Sequence, residues 1–159
     1  AGDDAGHLST IFDLAGIAGV IAIGFFSDKL FGGRRTNVSL IFIAGLVAGC
    51  FLLYTFGGVS VFVFGICMGL IGFFLYGPDA LMSGAGAIDV GSAKRAVIAA
   101  GVINGMGSCG AVTQEFLLGR LLKEGSVTMV FVTLVASACC AATCLLIVMA
   151  RNRRGSADL

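Results

Sequence analysis

Five apolar runs, at residues 8–26, 38–56, 59–76, 96–118 and 127–150, follow one another with only short charged interruptions. About 20 apolar residues are what a helix needs to cross the hydrocarbon of a bilayer, so each run is long enough to span. In lipid a backbone must satisfy its own hydrogen bonds, and no run alternates as a barrel strand does; helices are therefore expected throughout. Composition agrees, with 58% hydrophobic residues, 12% charged, no Trp and a mean hydropathy of +1.04, far from the balance of a soluble domain. The expected fold is an all-α polytopic transmembrane helix bundle filling residues 1–159, with the lipid bilayer as its first partner. The first run is not read as a signal peptide, because Asp3 and Asp4 stand where a basic region would and no small-residue cleavage pattern follows. A net charge of +1, without a long basic tract, gives no footing for a nucleic-acid partner.

Basic residues set the expected orientation. The connections after the first and third runs and the C-terminal tail hold Lys29, Arg34, Arg35, Lys94, Arg95, Arg151, Arg153 and Arg154, while the other side holds only Arg120 and Lys123. The positive-inside rule then places the C-terminus in the cytoplasm and the N-terminus outside. That topology leaves the sequon Asn37-Val38-Ser39 on the cytoplasmic side, where it would carry no sugar. The odd number of spans and the missing initiating Met lead us to expect further helices upstream. A plasma or inner membrane is expected in preference to an organellar one.

Close packing is anticipated within the spans. Gly45 and Gly49, Gly65 and Gly69, and Gly101 and Gly105 are each four residues apart, so each pair shares a helix face on which another backbone can approach; Ala138 and Ala142 repeat the spacing. Gly105, Gly107 and Gly110 match G-x-G-x-x-G, but a dinucleotide site needs a preceding strand and an opening helix, whereas this match lies inside an apolar run. The six cysteines fall within spans, where Cys behaves as a small apolar residue, and Cys140 and Cys144 share a face with no His or carboxylate beside them. With one histidine, His7, and no hydroxyl nucleophile paired to a base, neither an enzyme nor a metal or cofactor site is expected.

Polar residues inside spans are the positive signal, since each is costly in lipid unless it meets a cavity or a partner. Asp13 lies in the outer part of the first span, Asn104 near the middle of the fourth, and Gln114 with Glu115 in its outer part. All are expected to face inward, either bonding between helices or lining a pathway. Asn104, near the midplane, favours the second reading. Tyr76-Gly77-Pro78-Asp79 is expected to end or break the third span.

The charged loop carries a family resemblance. Gly24, Ser27, Asp28, Lys29, Phe31, Gly33 and Arg35, within "GFFSDKLFGGRR", resemble the cytoplasmic loop of major facilitator superfamily carriers. The form "SDKLFGGRR" resembles in particular that of the organophosphate:phosphate antiporters, having two extra residues before its arginines relative to the commoner loop. "LSTIFDLAGIAG" is similar to that family's eighth span, and "YGPDALMSGAGAIDVGSAKRAVIAAGVINGMGSCG" to its tenth span, basic loop and Gly-rich eleventh span. The resemblance implies spans 8 to 12 of a twelve-span carrier that exchanges a small phosphate ester, glycerol-3-phosphate or a sugar phosphate, for inorganic phosphate by alternating access. It implies partners in the missing upstream helices and leaves the substrate-holding arginines of the first and seventh spans outside this chain, since no Arg falls within a span here. Asn104, Tyr76, Asp13 and Gln114 remain as candidate lining residues. Gly24, Asp28, Lys29, Gly33, Arg34 and Arg35 form a loop that could latch onto helix ends, Asp28 through hydrogen bonds and the cations through carbonyl ends. The competing reading is a five-span scaffold or assembly subunit that transports nothing.

Overall fold

The computed structural model describes residues 2–30, 35–88, 92–123, 125 and 127–155, and among these it contains helices and turns but no strand. The elements are α1 (Gly2–Lys29), α2 (Arg35–Phe56), α3 (Val61–Ala80), a π-helical turn (Leu81–Ala85), α4 (Gly86–Ile88), α5 (Ala93–Lys123) and α6 (Val127–Gly155). Five stretches are long and apolar enough to cross a membrane: Gly6–Lys29, Arg35–Phe56, Val61–Ile88, Lys94–Lys123 and Thr128–Arg151. The protein is an integral, multi-pass membrane protein.

The third stretch reaches further than expected. Pro78 is buried inside α3, and the chain continues through the π turn to Ile88 instead of stopping at residue 76. Proline normally forces the residue before it out of the helical region, through a clash with that residue's Cβ; Gly77 has none, which lets the helix pass. A π turn just beyond is a common adjustment where a helix loses regular pairing. Tyr76 therefore lies well inside a span and not at its end.

Local signals fix the other boundaries. Ser60 caps α3 by accepting a 3.2 Å hydrogen bond from the Val63 amide. Gly125, at φ 70°, adopts the left-handed conformation that closes many helices and donates its amide to the Leu122 carbonyl at 3.1 Å, reversing the chain from α5 into α6.

α3 is central. α1 packs along one side of it and α2 along another, α6 lies on α2, and α5 rests against α6, α4 and the π turn. Glycines carry both inner seams. A Cβ on Gly45 would collide with the Phe74 ring and one on Gly49 would stand 3.3 Å from Ile71, so α2 approaches α3 through the face that their spacing defines. Gly65 and Gly69 receive Leu8 and Ile11 of α1 at 3.4 and 3.3 Å. At the end of α1 nearest α2, Ile23, Val38, Phe42 and Leu81 form a buried apolar cluster flanked by Ala22, Phe73 and Phe74. Phe42 stacks on Phe73 at 5.6 Å and meets Phe74 edge-on at 5.6 Å. Gly101 and Gly105 have open space around them, so the close contact expected of that pair does not occur among the described residues.

Candidate functional site

The α1–α3 seam is built from residues with no side chain. Gly19 abuts the Phe73 carbonyl, Gly72 the Phe12 carbonyl, and Gly16 the ring of Tyr76. Gly16 and Gly19, three apart and so on one helix face, thus both turn toward α3, Gly16 to a side-chain ring and Gly19 to the backbone, and at Gly19 and Gly72 the two helices approach so closely that a single added methyl would obstruct them. This pair escapes a search for four-residue spacing.

At this crossing two polar side chains from different spans meet. The Tyr76 hydroxyl donates a hydrogen bond of 2.7 Å to Oδ1 of Asp13. The length is that of a hydroxyl on a carboxyl oxygen, a strong pairing wherever water is scarce. Gly16, one turn along α1 from Asp13, makes room for the Tyr76 ring, and Phe12 meets that ring edge-on at 5.3 Å. Ring, hydroxyl and carboxyl are therefore held by three separate contacts. Tyr76 is half-buried, while Asp13 is exposed at the surface of the packed helices. A groove of about 440 Å³ runs between α1 and α3 from His7 and Phe62 to Ile11 and Gly69. Its inner end lies within one helical turn of Asp13 and Gly72.

Of the four residues expected to line a pathway, the structure brings Asp13 and Tyr76 together. Asn104 and Gln114 stand exposed on α5, whose packing is against α6, α4 and the π turn. The Asn104 carbonyl accepts a 3.0 Å bond from the Ser108 hydroxyl within the same helix. In the loop motif, Gly24 has open space around it, Asp28 is exposed, and Lys29 places Nζ 4.7 Å from the centre of the Phe25 ring. Arg35 opens α2 and is half-buried, whereas Gly33 and Arg34 lie outside the described residues. Ser39, the third residue of the sequon, is fully buried within α2, so an unmodified Asn37 says little about orientation.

Among the described residues, no group of three or more His, Cys, Asp or Glu side chains is arranged to hold a metal ion. The site offers one carboxyl acceptor, one phenolic donor and an apolar approach, which suits recognition of a polar solute by hydrogen bonding.

Comparison with known proteins adds an independent line. An Arabidopsis thaliana protein that bears the name glycerol-3-phosphate transporter 4 is 37% identical over 97% of this chain and 30% of its own length. The Escherichia coli membrane sensor protein UhpC is 33% identical over 71% of this chain and 26% of its own. A Chlamydia trachomatis protein named for hexose phosphate transport is 30% identical over 81% of this chain and 28% of its own. The chain thus spans less than a third of the length of these curated relatives. No family model and no solved structure matches it.

Proposed function

This chain belongs to the organophosphate:phosphate antiporter-like branch of the major facilitator superfamily, and from that premise we propose that it forms part of a carrier exchanging a phosphorylated metabolite for inorganic phosphate. The relatives named for glycerol-3-phosphate and hexose phosphate transport support the substrate class. The Asp13–Tyr76 hydrogen bond across the α1–α3 seam is the observation that carries the local mechanism.

A phosphate ester is an anion, so Asp13 is a poor direct ligand for it, whereas the Tyr76 hydroxyl is a suitable donor. In this account Asp13 holds Tyr76 while the site is empty, and Tyr76 turns its hydroxyl to a phosphate oxygen when substrate arrives. The glycine seam lets α1 and α3 keep close contact as the bundle rocks between its two access states. Asn104 and Gln114 contribute lining from α5, and the anion's main positive partners come from helices outside this chain. Asp28, Lys29 and Arg35 bias the equilibrium between states through contacts that differ in each. The basic connections face the cytoplasm, in a plasma or inner membrane.

The experiment is exchange in proteoliposomes of the intact carrier: external glycerol-3-phosphate or hexose phosphate should release preloaded labelled phosphate with saturable kinetics. A second reading, that the bundle senses a phosphate ester without moving it, is favoured by the similarity to the E. coli membrane sensor. Saturable binding with no release of label would select that reading.

A further inference from the structure

α2 and α6 do not close along their whole length. Ala138 of α6 is buried, but nearer the start of that helix a groove of about 370 Å³ opens between Phe51 and Tyr54 of α2 and Phe131 and Val135 of α6. Tyr54 and Phe131 meet edge-on in its wall, with ring centres 5.5 Å apart. The groove runs from Thr128, where the α6 span begins, to Ala136, and is apolar almost throughout. At 1.5 Å per helical residue that wall is about 12 Å long, close to the roughly 15 Å of hydrocarbon in one leaflet. The volume spread over that length leaves a cross-section of about 30 Å², under half that of a helix about 10 Å wide. The groove therefore has the width of an extended hydrocarbon chain and is too narrow to seat a helix.

Charge marks the mouth of the groove. The connections at the other end of the bundle hold the other basic residues, whereas Arg120 and Lys123 both fall in the last turn of α5, at the end where the groove opens. They outnumber the one carboxylate of that connection, Glu124, whose placement lies outside the described residues. Arg120 is laid over the Phe116 ring, 5.7 Å from its centre. Lys123 ends α5, and the turn closed by the Gly125 amide on the Leu122 carbonyl carries the chain to Thr128 within five residues. The long lysine stem lets the ammonium rise to the headgroup level from there. On the facing wall Tyr54 is two residues from the end of α2, at the depth where tyrosine hydroxyls meet headgroups. We propose that the α2–α6 groove binds one acyl chain of an anionic phospholipid, with Lys123 and Tyr54 holding its phosphate. Such a lipid fills the gap that the two helices leave and fastens the start of α6 to the end of α2.

Photolabelling of the intact protein tests this, in phosphatidylcholine nanodiscs carrying a trace of phosphatidylglycerol or of phosphatidylcholine with a diazirine in mid-chain. Phosphatidylglycerol should label Phe51, Phe131 and Val135 about fivefold more than phosphatidylcholine does, the preference that one lysine contributes toward an anionic lipid. Lys123→Gln should abolish that difference. Ala136→Phe, which fills the groove, should remove the label of both lipids from these residues and leave labelling elsewhere on the protein unchanged. Equal labelling by the two lipids, a preference that survives Lys123→Gln, or a label indifferent to Ala136→Phe overturns the proposal. An absence of label at all three residues in the native protein overturns it as well, and means that protein covers the groove.

Discussion

The Tyr76 hydroxyl of α3 donates a 2.7 Å hydrogen bond to Asp13 of α1, joining two membrane-spanning helices across 63 residues of sequence. Neither group is at home in hydrocarbon, and each offers the other what lipid cannot. The pair sits where Gly16 leaves space for the tyrosine ring, so the bond depends on the glycine seam as much as on its own two residues.

A double-mutant cycle on Asp13→Ala and Tyr76→Phe should give a favourable coupling of about 0.5–2 kcal/mol, the range of hydrogen bonds between membrane helices. Reversible unfolding of the purified protein in mixed micelles measures it. A coupling of zero would mean that the two side chains are neighbours without being partners.

Glycine substitutions should divide by location. Gly72→Ala and Gly19→Ala set a methyl against a backbone carbonyl of the facing helix and should cost about 1–3 kcal/mol, whereas Gly101→Ala and Gly105→Ala enter open space and should change stability by no more than about 0.5 kcal/mol. Thermal unfolding in nanodiscs checks the ordering. Equal costs in the two groups would show that the α1–α3 crossing is looser than described.

Orientation is best read from exposed connections. A cysteine introduced at Gly58 should react with a membrane-impermeant maleimide added outside intact cells, and one introduced at Ser92 should react only after permeabilisation. The reverse pattern would invert the assignment that the basic residues suggest.

Asp28 is exposed beside Lys29 at the end of α1, where loss of its charge disturbs no packing. If it biases the two access states, Asp28→Asn should slow phosphate exchange by the intact carrier about threefold to tenfold, with unchanged insertion. An unaltered rate would leave the loop charges with orientation as their role.

The helices were readable because lipid leaves a backbone few choices, and runs of 20 apolar residues announce themselves. Gly45, Gly49, Gly65 and Gly69 were readable too, since four-residue spacing puts them on one face. The continuation past Pro78 was not, because it turns on Gly77 relieving a clash that a proline usually imposes. The Asp13–Tyr76 pairing was hidden for a different reason: each residue was suspect alone, but their meeting is set by which glycine faces interlock, and Gly16 and Gly19 are three apart.

The most direct test of the account is the kinetics of Tyr76→Phe in the proteoliposome exchange assay. This change removes one hydroxyl and keeps the ring against Gly16 and Phe12. If Tyr76 passes its hydrogen bond from Asp13 to the substrate phosphate, kcat/KM for phosphate-ester exchange should fall at least about tenfold, the worth of one hydrogen bond to a charged group. Native kinetics in the correctly inserted variant would contradict it.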